Sequence, residues 1–326
     1  MTSTILKGLH SSEYEHPHDR AALDALRKIP LFPKILDLCS IPQNSITRME
    51  LLGSNLKVTE RQMPSVYKMM EKACEILDME APLLYVSSSP QINAYTACPD
   101  KPIICLFSGL LDMLDEDELT FVIGHELSHI KSKHITYQAL GAVLADNLLE
   151  AVLSMVPGLS TLSQPAIIAL NYGYYEWYRA AELSSDRGGF LACQNLKASC
   201  SALMKLAGAS IRYANELNLD EFIAQSRDFN DAGSETLGKL QKIILSSGRS
   251  HPWSVSRVHE LIKFSESPLY NEVLARTAPR CEESEIDMES LTDKTKNAAN
   301  AAAGAAKGAM SGLSKKFGAF GKKADD

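Results

Sequence analysis

The sequence is short of several things, and each shortage removes a class of protein. Its seven cysteines (Cys39, Cys74, Cys98, Cys105, Cys193, Cys200 and Cys281) contain no C-x-x-C pair, and their number is odd. That argues against a disulfide framework or a cysteine-based zinc knuckle and for reduced thiols in a cytoplasmic protein. Positive charge is also scarce. Thirty-three Lys and Arg stand against 40 Asp and Glu, a net charge of −7, with no basic stripe interleaved with aromatics. No nucleic acid is expected as a partner. Met1 to Lys7 has no apolar core of the kind a signal peptide needs. Nor is there a clean membrane-spanning run, which takes about 20 mainly apolar residues. The nearest candidate, Ala151 to Tyr175, is uncharged but interrupted by Pro157-Gly158 and Pro165 and diluted by Ser154, Ser160, Thr161, Ser163 and Gln164. A buried or half-exposed helical hairpin is the expectation there; a patch that dips into a bilayer or receives an apolar partner is the alternative.

What is present is His125-Glu126-Leu127-Ser128-His129, an H-E-x-x-H run. Two histidines four apart on a helix project from one face, so both imidazoles can reach one metal ion. The glutamate beside the first can take a proton from water held by that ion. The context favours a helix from about Asp115 to His134. Asp115 and Glu118 have capping-box spacing, Glu116 and Asp117 add negative charge to the first turn, and Leu119, Val122, Ile123 and Ile130 recur near helical period. Gly124 would suit close packing of another element, at about 1 kcal/mol relative to Ala.

A catalytic zinc site generally has a third protein ligand. Glu182 and Asp186, four apart in Trp177 to Arg187, offer one carboxylate for a metal and one to fix a ligating histidine from behind. The competing reading is a solvated acidic face paired with Arg179 and Arg187. Small residues around it (Ala180, Ala181, Ser184, Ser185, Gly188, Gly189) favour tight helix packing and burial.

G-H-E-L-S-H-I-K-S-K-H followed by A-A-E-L-S-S-D-R resembles the M48 metallopeptidases, gluzincins that include the HtpX and Ste24 types. Asn93-Ala94-Tyr95 is similar to that family's segment ahead of the active helix, and His251-Pro252 with Arg257 to its late H-P…R segment. The resemblance covers roughly Pro82 to Glu260. It implies one Zn2+ per chain, held by His125, His129 and Glu182, with Glu126 as general base and Asp186 in support. It implies that His251 or Arg257 stabilises the oxyanion or holds the site together. His134 is similar to a histidine often found after the motif, and a supporting or surface role is expected because the ligand set is complete without it. The Ste24 and HtpX types are integral membrane proteins, and this chain departs from them in lacking a clean span.

Short strands are expected at Pro82 to Ser87 and Ile103 to Phe107, bracketing Ile92 to Ala97, with helices over Ala21 to Cys39, Ser65 to Asp78, Lys197 to Leu219 and Ser254 to Phe264. The first residues, to about His18, read as polar and mobile. The expected class is α+β, mainly α: a zincin-like metallopeptidase with a small sheet ahead of the H-E-x-x-H helix. Its parts are a helical extension (1–60), the metallopeptidase domain (61–280) and an acidic linker with an Ala/Gly/Lys-rich tail (281–326). Cys98 is a candidate redox-sensitive thiol or extra ligand. The expected activity is hydrolysis of peptide bonds in peptides or unfolded proteins, in a quality-control role by analogy, with substrate added to an edge strand carrying Asn93, Ala94 and Tyr95. Alternatives are a latent or inactive relative acting as chaperone or scaffold, and a peptidase in peripheral membrane contact through 151–175 or the tail.

Overall fold

Asp115 and Glu118 close a reciprocal capping box: the Asp115 side chain accepts from the Glu118 N–H, and Glu118 accepts from the Asp115 N–H, both at 2.9 Å. The helix they start runs Glu116–Lys131 and carries the H-E-x-x-H run in its second half. Glu118 also accepts from Lys205 Nζ and Ser201 Oγ at 2.6 Å, which fastens this helix start to a later helix. The computed structural model describes residues 3–28, 32, 48–137, 140–141, 164–232 and 252–276.

In chain order the elements are α1 (Pro17–Arg27), β1 (Leu56–Lys57), α2 (Pro64–Leu77), β2 (Leu83–Ser87), β3 (Ala94–Ala97), β4 (Ile103–Phe107), α3 (Ser108–Met113), α4 (Glu116–Lys131), α5 (Gln164–Cys193), α6 (Leu196–Gly208), α7 (Leu219–Ala232), α8 (Ser254–Glu266) and α9 (Pro268–Ala275). The sheet order is β1-β2-β4-β3. β2 and β4 run parallel at its centre, with β1 and β3 antiparallel on its flanks. Val86, Ile104 and Leu106 face the main core with α2 and α4, while Tyr85, Ile103 and Cys105 pack on the other face against Leu51. The fold is mainly helical with a small sheet ahead of the active helix, as in zincin-like metallopeptidases.

Three expectations change. The N-terminal residues are packed, because the segment to His18 carries buried Leu6, Leu9 and Tyr14 in the main core. Leu6 N–H donates to Ile76 O at 2.9 Å, and Gln194 exchanges hydrogen bonds with the Thr4 backbone at 2.8 and 2.7 Å. The helix expected over Lys197 to Leu219 divides. α6 ends at Gly208, a 3-10 turn covers Ile211–Glu216, and Asn218 Oδ1 then caps α7 by accepting from Asp220 and Glu221 N–H. The side chain of Cys98 is buried, and burial raises its thiol pKa, only partly countered by Arg48. That is the reverse of a reactive thiolate.

Several expectations fall outside the described residues: His251, residues 151–163 of the apolar candidate, and the acidic linker and tail from 281. No helix among the described residues is long and apolar enough to cross a membrane.

Candidate metal centre

Two glycines let α4 and α5 approach closely enough to share a site. A Cβ on Gly124 would lie 2.4 Å from Ala192 Cβ, and one on Gly189 would lie 2.6 Å from the Phe121 carbonyl oxygen. No larger residue fits at either point without moving a helix. This close approach brings the Glu182 carboxylate of α5 to the two imidazoles of α4.

His125 Nε2 and His129 Nε2 lie 3.1 Å apart; Glu182 Oε1 lies 3.3 Å from His129 Nε2, and Oε2 lies 3.7 Å from His125 Nε2. All three side chains are buried, and they are the group able to hold a metal ion among the described residues. Donors of a tetrahedral zinc, at about 2.0–2.1 Å each, sit about 3.3 Å from one another. The observed spacing and the N/N/O donor set fit such an ion. The charge balance fits too. Glu126, Glu182 and Asp186 are buried with one guanidinium, Arg257, so the formal sum of three negative and one positive leaves two negative charges for a divalent cation.

Each imidazole turns its other nitrogen away from the centre. His125 Nδ1 lies 3.0 Å from Asp186 Oδ1. Arg257 grips that carboxylate from α8, with Nε donating to Oδ2 at 2.8 Å and Nη2 to Oδ1 at 2.6 Å. Burial alone would raise the Asp186 carboxyl; the guanidinium overrides this and, with His125, holds it below its ordinary value. Arg257 Nη1 also lies 3.7 Å from Glu182 Oε2. Arg257 thus faces the carboxylates that surround the imidazoles and spends its Nε and Nη2 donors on Asp186. His129 Nδ1 lies 3.0 Å from Nδ1 of His134, which stands just beyond the helix end.

Glu126 is held from the sheet. Thr96 of β3 is buried, and its Oγ1 donates to Glu126 Oε2 at 2.5 Å. Ala94 packs on the main core, whereas Tyr95 turns to the opposite face and packs edge-on to Phe107 at 5.9 Å. Asn93 lies just outside the strand, its Oδ1 accepting from the Ala94 N–H at 2.9 Å. Tyr178 stands one turn before Glu182 on α5. Burial first, then the Glu182 charge, holds its phenol well above the usual value, so it stays a protonated donor near the carboxylates. Sequence reasoning passed over Thr96. Its one available signal was position, immediately after Asn93-Ala94-Tyr95.

Known proteins resemble this chain in sequence. Residues 60–265 match the profile of Peptidase family M48. The chain is 34% identical over 277 residues to Plastoglobule-localized metallopeptidase 48, chloroplastic, of Arabidopsis thaliana, covering 83% of this chain and 78% of that protein. It is 26% identical over 240 residues to a Protease HtpX homolog of Trichormus variabilis, covering 64% and 76%. A crystal structure of Ste24p from S. mikatae overlaps 75% of this chain and 61% of that one at 16% identity and a TM-score of 0.38. The matched segment spans more than half of the 326 residues, and the plant relative extends the likeness well beyond it. The chain therefore belongs to peptidase family M48 and is a metallopeptidase acting on peptides or proteins.

Proposed function

We propose that the chain is a zinc-dependent endopeptidase in which His125, His129 and Glu182 hold the ion and Glu126 is the general base. The observation that carries this is the convergence of three buried donor atoms from α4 and α5, with the Glu126 carboxylate adjoining them on the same helix. Bound there, zinc would supply Lewis acidity to water and to the scissile carbonyl. Glu126 takes the proton of the attacking water and passes it to the leaving amine. Thr96 fixes the carboxylate for that exchange by holding one of its oxygens. Arg257 holds Asp186, and through it His125. The protonated Tyr178 phenol and His251 are the candidates to donate where negative charge develops.

Substrate would add to the sheet at β3. The Asn93 carbonyl accepts from the Phe107 N–H at 3.0 Å, so Asn93, Tyr95 and Ala97 turn their backbone towards β4. The Ala94 carbonyl and the Thr96 main chain then turn to the flank, where an extended peptide can pair with them irrespective of its side chains. Thr96 would meet the substrate backbone and steady the base at once.

The deciding experiment is Glu126→Gln in the full chain. Zinc should stay near one per chain while cleavage of an unfolded protein falls by at least about 10³-fold, as for removal of a proton-transfer group. Cleavage at the wild-type rate would remove Glu126 as base. A quality-control role is analogy with HtpX proteases. Action at a lipid surface is supported only by the name of the plant relative. Co-sedimentation with anionic vesicles tests it, and protein left wholly in the supernatant would end it.

A further inference from the structure

The turn that ends α4 has a geometry that the H-E-x-x-H pattern does not specify. His134 N–H donates to His129 O at 2.9 Å, and Lys133 N–H donates to Ile130 O at 3.0 Å, with Lys133 in the left-handed region at φ 58°. This is a Schellman turn, which folds the residue two beyond the cap back onto the residue in the helix's last turn. Here those two residues are His134 and His129, their rings 5.1 Å apart and nearly perpendicular.

His134 is 2% exposed and Asp19, on α1, is 3% exposed. His134 Nε2 lies 3.0 Å from Asp19 Oδ2. Asp19 is further secured by Ser184 Oγ, which donates to Oδ2 at 2.6 Å, and by Trp177 Nε1, which donates to Oδ1 at 2.9 Å. Burial would raise this carboxyl, but the hydrogen bond to His134 comes first among the contacts that hold it below its ordinary value. α1 is itself tied to α5, because the His16 N–H, at the α1 cap, donates to Ser184 Oγ at 2.9 Å.

Proton placement along this line is determined if the reading of the metal centre holds. Two Nδ1 atoms face each other, so only one can carry hydrogen. A His129 that gives its Nε2 lone pair to a metal carries its hydrogen on Nδ1. His134 must then present a bare Nδ1 and carry its own hydrogen on Nε2, which points at Asp19. A carboxylate there favours that tautomer over the opposite one.

We propose that Asp19 is a positioning residue for the metal centre: through His134 it orients and strengthens His129 as a ligand, so that metal retention depends on a helix preceding the family-matched segment. This rests on the assignment of His125, His129 and Glu182 as ligands. Partners behind a ligating histidine are typically worth 10–100-fold in metal affinity. A partner acting through a second imidazole belongs at the lower end, about 10-fold.

The test is zinc affinity of the full-length chain, measured by competition with a chromogenic chelator. Asp19→Asn should weaken binding about 10-fold, and His134→Phe, which keeps the bulk but removes the relay, by a similar factor. The two together should still lose about 10-fold rather than the roughly 100-fold of independent effects. Leu26→Ala, a buried α1 change outside the relay, should lower the melting temperature yet leave zinc affinity within about twofold. Wild-type affinity in Asp19→Asn or in His134→Phe, multiplying losses in the double variant, or an equal loss in Leu26→Ala would each overturn the proposal. Failure of the ligand assignment looks different: wild type and His125→Ala would then bind zinc equally, or neither would bind it.

Discussion

In the proposed metal centre the two histidines of the motif share one task and are backed by unlike arrangements. Behind His125 stands a carboxylate in direct contact, locked by a guanidinium from α8. Behind His129 stands an imidazole, and the carboxylate comes one step later, from α1. The first is a buried ion pair between residues of the matched family segment, where charge neutralises charge. In the second, Asp19 is held by an imidazole, a hydroxyl and an indole N–H. A direct carboxylate raises ligand basicity more strongly; an imidazole relay gives up some strength and couples the centre to a more distant element.

The largest effect should follow from breaking the ion pair. Arg257→Met leaves Asp186 buried without its cation and should cost about 3–5 kcal/mol of stability, read as a lower denaturation midpoint. A loss below about 1 kcal/mol would mean that water or another group replaces the guanidinium, and the contrast between the two sides would fade. Next is Asp186→Asn, which should weaken zinc binding by towards 100-fold, more than the change at Asp19. A smaller loss than Asp19→Asn would reverse the order and make the relay the stronger support.

The smallest effect lies where the two sides meet. His16 Nε2, at the start of α1, is 3.8 Å from Glu260 Oε2 of α8, the helix that carries Arg257. His16 first, then Lys263, bring the Glu260 carboxyl down to about 2 from an ordinary 4.5, against burial. A depressed carboxyl stabilises the fold above its unfolded pKa and loses that contribution as pH falls towards its folded value. Glu260→Gln should therefore cost less than about 1 kcal/mol at neutral pH, given its partial exposure. The gap from wild type should close between pH 4.5 and about 2. A gap that stayed constant across that range would mean the pair does not join the helices.

What could be read from the sequence was local periodicity and motif chemistry. The capping box, the helix through the motif and the small residues facing Gly124 all follow from near-neighbour spacing, and so did the expectation that Glu182 is buried. The two central strands were visible as apolar runs between turn signals. The backing of His129 was not legible. Asp19 sits 110 positions from it in a stretch rich in His, Glu and Asp, where one carboxylate looks like any other. Thr96 was hidden for a related reason. Only strand alternation, combined with the placement of α4 across β3, turns its hydroxyl towards Glu126. The N-terminal residues were misread because Leu6, Leu9 and Tyr14 are few, and their burial depends on partners from α2 onwards.

The Schellman turn has a consequence for how relatives of this chain are recognised. A search for the five-letter signature stops at residue 129, yet the ring proposed to steady that residue is set by a fixed count of five beyond it. Deleting one residue from the loop between would leave the signature intact and swing the following imidazole off its mark. Such a chain would still be catalogued among the enzymes while holding its ion less firmly than its spelling implies.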